Sequence, residues 1–286
     1  MPLHKENVKM NNVKDIKTMK LYRHPERIYN ELDAIGYKRD FPLKVEDITP
    51  FDQYHYLGTD AVDDAIRSLD IDSENRIMDI GSGIGGSARY LAKKTGCHVT
   101  ALEVQPDLHN IACSLTEHCG LSDSVQHLCG DILDFSGRRY NFDVLVSWLS
   151  FLHIPNRSSL LKKCYHILKP DGKLFIEDFY KCDEFDEEEI NILSEDVYCA
   201  YLPTSEEYRK QLIENGFTEV ELIDKTDCWK NFVKERIEKF IENRNDQINV
   251  HDIEIVEELE DFYEKIFRLF EGGNLGGLRI IAKKEA

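Results

Sequence analysis

The stretch Asp79-Ile80-Gly81-Ser82-Gly83-Ile84-Gly85-Gly86 decides how the rest of this chain is read. It ends a short apolar run, residues 76–80, and opens a segment of helical spacing that continues through Lys94. Glycines at a strand end let a ligand approach the backbone, and a helix that follows presents free N–H groups at its start. Gly81, Gly83 and Gly86 satisfy G-x-G-x-x-G, a pattern that alone fits a dinucleotide as well as other nucleotide-like ligands.

Outward from this turn the chain alternates. Residues 99–103, 125–129, 143–147 and 173–178 are further strand-like runs, with helical stretches at 107–119 and 158–168. Pro106-Asp107 opens the first of these helices, and Lys169-Pro170-Asp171-Gly172 stops the second. Residues 61–69 read as a helix leading into the first strand. Strand, helix, strand in regular succession predicts right-handed crossovers and a parallel sheet covered on both faces.

Beyond Asp178 the pattern changes. The acidic run 183–189 reads as a solvated helix start. Thr204 and Glu207 have capping-box spacing, for a helix that Gly216 stops, and residues 219–224 form a sixth strand. Two amphipathic helices follow, one carrying Trp229, Phe232, Val233, Ile237, Phe240 and Ile241, the other Val256, Leu259, Tyr263, Ile266, Phe267 and Phe270. Trp229 is expected in the core. Gly272-Gly273 and Gly276-Gly277 are expected to turn the chain into a last strand at 278–283.

The composition, 42% hydrophobic and 31% charged, is that of a chain able to bury a core. A formal net charge of −18 argues against general nucleic-acid binding and against an anionic membrane surface. The eight cysteines include no C-x-x-C pair, so reduced structural thiols are expected, with Cys129 and Cys164 acting as small hydrophobes. No acidic or His cluster has metal-ligand spacing, and none is assigned a metal. With no leader-like or membrane-spanning apolar run, the expectation is a cytoplasmic protein, monomer or homodimer, that acts on a small molecule.

Three acids sharpen the ligand. Asp79 precedes the glycine turn, where a carboxylate would repel a pyrophosphate but suit a cationic ligand with an ammonium group, such as S-adenosylmethionine. Glu103 ends the second strand, where an acid accepts from ribose hydroxyls. Asp131, in Gly130-Asp131-Ile132, follows the third and can clamp an adenine edge beside backbone donors. Each acid alone is explained by a cap or surface charge. Three on consecutive strand ends are better explained by a ligand beyond those ends.

Asp79–Gly86, Gly130-Asp131-Ile132 and Leu168-Lys169-Pro170-Asp171-Gly172 resemble the nucleotide-binding motifs of class I S-adenosylmethionine-dependent methyltransferases, over roughly residues 61–178. The resemblance implies an α/β, doubly wound, Rossmann-like seven-stranded mostly parallel sheet, its last strand antiparallel beside the sixth. In it, residues 1–20 are a flexible N-terminus, 21–60 a helical and aromatic lid, 61–180 the nucleotide-binding core, and 181–286 substrate-side helices, inserted before the last strand, with the final strands. The implied donor-binding residues are Asp79, Gly81, Ser82, Gly83, Gly85, Glu103, Val104, Asp131, Ile132 and Ser147, with S-adenosylhomocysteine as the product.

More narrowly, residues 147–154, Lys163-Cys164-Tyr165 and residues 206–229 are similar to phosphoethanolamine N-methyltransferases and sarcosine/dimethylglycine N-methyltransferases. That likeness implies His153 working with Tyr54 or Tyr56 as the catalytic group, and Gln53, Tyr54, Leu149 and Tyr201 at the substrate. A His with a pKa near 7 suits an amine that must shed a proton before attack. The bland alternative is a loop His bonded to a backbone carbonyl. The chain departs from these families at Leu149, where they usually carry Asp, and at Cys228, where the phosphate-binding kinds carry Tyr nearby. An oxygen acceptor, a catalytically silent binding module and a dinucleotide oxidoreductase stand as the alternatives.

Overall fold

The computed structural model describes residues 16–38, 41–137 and 141–285. Most of the expected flexible N-terminus, residues 1–15, lies outside them; Ile16–Thr18 form one 3-10 turn and Met19 is buried. Seven strands form one sheet: β1 (Arg76–Ile80), β2 (His98–Glu103), β3 (Val125–Cys129), β4 (Phe142–Trp148), β5 (Leu168–Lys181), β6 (Phe217–Asp224) and β7 (Leu275–Lys284). Their order is β3-β2-β1-β4-β5-β7-β6, with β1 to β5 parallel and β7 antiparallel to both β5 and β6. β1 and β4 run buried on both faces because helices cover both. Among the helices flanking them, α1 (Arg27–Ala34) and α2 (Val45–Asp52) precede α3 (Thr59–Leu69), α4 (Gly86–Thr95) and α5 (Pro106–His118). After them come α6 (Arg157–Ile167), α7 (Glu187–Glu195), α8 (Ser205–Glu214), α9 (Thr226–Glu242), α10 (Arg244–Val250) and α11 (Ile253–Gly272).

One face of the sheet packs Leu145, Leu174 and Ile280 against Leu160 and Leu161 of α6 and Leu212 of α8. The other packs Ile77, Ala101 and Val146 against Val62 and Ala65 of α3 and Leu91 of α4. The amphipathic pair α9 and α11 adds a third apolar cluster, with Trp229 fully buried among Val233, Ile266 and Phe270. The anticipated capping box of Thr204 with Glu207 forms on α8, and a second that the sequence reading did not name, Asp186 with Glu189, opens α7.

The helix before Lys169-Pro170-Asp171-Gly172 ends as expected, at Ile167, and the segment itself is an outward excursion inside β5, whose pairing jumps from Phe142↔Leu168 to Val144↔Lys173. Two local expectations are corrected. Gly276 and Gly277 lie in β7, opposite Tyr180 and Phe179. A Cβ on Gly277 would stand 2.2 Å from the Trp229 ring, so these glycines serve close packing where a turn was expected. Cys129 is exposed, because it ends the edge strand β3, whereas Cys164 is buried; all eight cysteines are free.

The chain order reverses between β1 and β4, and open parallel sheets bind ligands at such a reversal, beyond the carboxyl ends of the strands.

Candidate functional site

A cavity of about 650 Å³ opens there. Its floor is the glycine turn. Gly81 has φ +75°, and an added Cβ would meet Ser150 Oγ at 2.0 Å. Gly83 has φ +54° and nothing within 4 Å of its Cβ position, so this side of the turn is open. Glu103 ties the turn to β2: its Oε2 accepts from Gly83 N at 2.9 Å and its Oε1 from Gln105 N at 2.9 Å. Burial raises the Glu103 pKa while these N–H groups oppose the rise. Asp79 is 1% exposed and accepts from Ser87 Oγ at 2.6 Å. Burial pushes its pKa up to about 7, with the Ser87 hydrogen bond lowering it and the Glu103 charge adding to the rise. Asp131 caps its own loop by accepting from Leu133 N at 2.8 Å, and Ile132 is buried beside it.

The opposite wall begins at the end of β4. Trp148 stacks on His55, ring centroids 5.4 Å apart. Leu149 has φ +51°, a left-handed conformation rare for a bulky residue, and donates its N–H to Glu177 O at 2.8 Å. The 3-10 turn Phe151–His153 then sets His153 with Nδ1 3.5 Å from the Tyr198 carbonyl oxygen and its ring perpendicular to Tyr22, 6.4 Å away. Tyr22 in turn neighbours Tyr54 at 6.5 Å. Burial lowers the His153 pKa to about 4, against the weaker pull of the Tyr198 carbonyl. A base poised near neutrality is therefore not what the fold provides; His153 is a neutral imidazole. Burial also raises the phenols of Tyr22 and Tyr54, keeping both neutral.

Of the residues singled out from the sequence, Tyr54, Asp79, Gly81, Ser82, Gly83, Glu103, Val104, Asp131, Ile132, Leu149 and His153 line this cavity. Five do not. Tyr56 packs into the α9–α11 cluster, 5.0 Å from the Trp229 ring, because its side of the chain faces those helices. Gln53 donates to Asp52 Oδ1 at 2.7 Å. Tyr201 accepts from Gln211 Nε2 at 3.1 Å on the surface. Ser147 is fully buried and donates to Ile80 O at 2.9 Å, fastening β4 to β1. Gly85, at φ +80°, caps α4, and a Cβ there would press on His127 and Arg89.

Sequence reading missed Asp52, His55, Trp148, Ser150 and Tyr198 as lining residues, and took Tyr22 only as one of many aromatics. Asp52 forms a fully buried ion pair with Arg89 of α4 at 2.8 Å. Gly86 permits that approach, since its Cβ would fall 2.3 Å from Asp52 O. No local pattern announces such a pair. Three buried polar atoms without a protein partner, Tyr54 Oη, Ser82 Oγ and Trp148 Nε1, belong to lining residues. Among the described residues, no lining side chain is Lys or Arg, and no group of three or more His, Cys, Asp or Glu is placed to hold a metal. No described helix is long and apolar enough to cross a membrane.

Residues 77–172 match the family model described as a methyltransferase domain. That match covers about a third of the chain. It is 33% identical over 156 residues to the glycine/sarcosine/dimethylglycine N-methyltransferase of Actinopolyspora halophila, covering 54% of this chain and 28% of that protein. It is 28% identical over 216 residues to phosphoethanolamine N-methyltransferase 1 of Zea mays, covering 75% of this chain and 42% of that protein. The chain thus spans less than half the length of these two curated relatives. In fold it superposes on Haemonchus contortus phosphoethanolamine N-methyltransferase 2, solved with phosphomonomethylethanolamine and S-adenosylhomocysteine. The TM-score is 0.81 at 19% identity, over 96% of this chain and 61% of that one. Within the matched residues lie Asp79, Glu103, Asp131, Leu149 and His153; Tyr22, Tyr54, His55 and Tyr198 reach the same cavity from outside them.

Proposed function

We propose that the protein transfers a methyl group from S-adenosylmethionine to the nitrogen of a small amine. The observation that carries this reading is the pairing of two buried carboxylates, Asp79 and Glu103, around an open glycine at the strand reversal, in a lining without Lys or Arg among the described residues. A dinucleotide's pyrophosphate would meet Asp79 there, with no lining side-chain cation among the described residues to offset it. A sulfonium nucleoside with an ammonium tail fits the same residues: Asp79 takes the ammonium, Glu103 accepts from ribose hydroxyls with its remaining lone pairs, and Asp131 with the backbone at Ile132 meets the adenine edge. Relatives named as N-methyltransferases of small amines support nitrogen as the acceptor atom. The reading carries with it a cytoplasmic monomer or homodimer without nucleic-acid partners.

The bound donor supplies an electrophilic methyl group, and the chain's task is to present a nitrogen lone pair in line and keep water away. Tyr22, Tyr54 and Trp148 wall the acceptor side. His153, neutral by burial, accepts an N–H hydrogen bond from the acceptor when Nδ1 carries its proton toward Tyr198, so that the nitrogen lone pair is aimed and not rotated away. With a pKa of about 4 it orients the amine and does not store its proton. The acceptor must arrive deprotonated, and its remaining proton leaves to water after transfer.

Isothermal titration of the full chain with S-adenosylhomocysteine, NAD run in parallel, tests the donor. Micromolar binding of the first alone is expected; binding of NAD alone would overturn the reading.

A further inference from the structure

The three buried polar atoms of the lining that lack a protein partner are Ser82 Oγ, Tyr54 Oη and Trp148 Nε1. The first two are hydroxyls, which rotate and can accept as well as donate. An indole N–H only donates, in the one direction its ring gives it. Trp148 is 6% exposed, and a buried donor left without an acceptor is costly. Trp229 Nε1 is also unpaired, but its ring is enclosed in the α9–α11 cluster and lines no part of this cavity.

The sheet sets the Trp148 ring beside the glycine turn. Asp79 pairs with Val146 across β1 and β4, so Trp148, two residues on, leaves the sheet on the same face as Val146 and level with Gly81. Val146 and Trp148 share an apolar cluster with Ala88 and Leu91 of α4, and Asp79 accepts from Ser87 of that helix. Carboxylate and indole therefore stand on one face, where the wall meets the floor. The ring is also held in orientation. It stacks on His55 with an interplanar angle of 24°, and His55 is fixed at both ring nitrogens, Nδ1 3.1 Å from Tyr56 O and Nε2 2.9 Å from Gln53 Oε1.

Resting on the donor reading above, we infer that Trp148 Nε1 donates to the carboxylate at the amino-acid end of the methyl donor, while Asp79 takes the ammonium. The two groups hang on one carbon, so a ligand whose ammonium meets Asp79 sets its carboxylate down next to it, on the face that Trp148 shares. No lining side chain among the described residues is Lys or Arg. Four N–H groups of the glycine turn are already spent: Gly81 and Ser82 donate to Leu102 O, Gly83 to Glu103 Oε2 and Gly85 to Ser82 O. Recognition of the carboxylate thus draws on neutral donors, and the indole is the one unpaired lining group that can do nothing but donate. A neutral donor suffices, because the ammonium on the same carbon already balances the charge. Trp148 supplies direction to the ligand's tail.

Isothermal titration of the full chain and of Trp148→Phe tests this with two ligands, S-adenosylhomocysteine and its decarboxylated analogue, which keeps the nucleoside and the ammonium and lacks only the carboxylate. Phenylalanine keeps a ring against His55 and removes the N–H. The substitution is expected to weaken S-adenosylhomocysteine by about 10- to 100-fold, the effect of a lost hydrogen bond to a charged group, and the analogue by far less. Equal losses for the two ligands would make the role of Trp148 one of packing and overturn the inference. So would unchanged binding of S-adenosylhomocysteine, including the case in which the variant instead raises KM for an amine acceptor. If Trp148→Phe does not fold, benzothienylalanine placed at position 148, which exchanges the N–H for sulfur in a ring of nearly the same shape, is judged by the same pair of losses. The two readings fail separately. A wild-type chain that binds neither ligand removes the donor assignment, whereas binding of both with no carboxylate-dependent loss at Trp148 removes only the assignment made here.

Discussion

The two halves of the cavity are built in different ways. The floor takes Asp79, Gly81, Gly83, Glu103 and Asp131 from one continuous span of the chain, each at or just past the carboxyl end of β1, β2 or β3. Backbone geometry alone sets their positions, and Glu103 bonded to Gly83 N locks two of those strand ends together. The acceptor wall takes Tyr22, Tyr54 and His55 from before the sheet, Leu149 and His153 from the end of β4, and Tyr198 from after α7. Only packing brings those three segments together. A strand end is a fixed address; an aromatic wall from distant segments depends on everything between them.

The buried Asp52–Arg89 pair joins the halves, since Asp52 ends α2 on the wall side and Arg89 belongs to α4 beneath the glycine turn. Removing one partner leaves an uncompensated buried charge. Arg89→Ala should therefore destabilise the fold by about 3–5 kcal/mol, read as a shift of the urea midpoint. An unchanged midpoint would mean that the halves are held independently.

His153→Ala cuts only the wall. It is expected to lower turnover at saturating donor by about 100-fold, the lower end for a positioned polar catalytic group, with S-adenosylhomocysteine affinity nearly intact. Loss of donor binding in that variant would make His153 part of the floor's architecture instead.

Gly81→Ala cuts only the floor. Its φ of +75° and the collision with Ser150 Oγ both oppose a methyl group. The left-handed penalty of about 1–2 kcal/mol alone predicts roughly 10-fold weaker binding of S-adenosylhomocysteine in calorimetry. Equal binding would show that the turn relaxes freely.

The smallest effect is on pH dependence. Asp79 has a pKa of about 7 in the ligand-free fold, so below neutrality it is protonated and neutral. A ligand with an ammonium group prefers the carboxylate and releases a proton on binding, so its affinity should fall several-fold from about pH 8 to about pH 6. Asp79→Asn should flatten that slope. The wall offers a contrast: with His153 at about 4, turnover should show no break near the ordinary imidazole pKa of about 6.5.

Much of the floor is legible in one dimension. The glycine turn, Glu103 and Asp131 each follow an apolar run of strand length, and the parallel alternation gathers such ends on one edge of the sheet. The two residues expected there that do not line the cavity, Ser147 and Gly85, have the right element and face elsewhere: Ser147 is drawn inward to the Ile80 carbonyl, and Gly85 caps α4. On the wall, Tyr54 and Tyr56 are indistinguishable by composition. Their near neighbours in sequence face different partners, Tyr54 the cavity beside Tyr22 and Tyr56 the Trp229 cluster. The expected near-neutral pKa of His153 fails for a similar reason, because burial is a property of the assembled fold.

Sequence by itself determined the layered architecture, the glycine turn and the carboxylates at its strand ends, because periodicity, turn chemistry and strand-end position are properties of neighbours along the chain. Tertiary structure decided which tyrosine meets His153, that Asp52 answers Arg89, and that the acceptor wall is aromatic without a described lining cation, because those depend on segments as far apart as Tyr22 and Tyr198 closing on one cavity and excluding water from it.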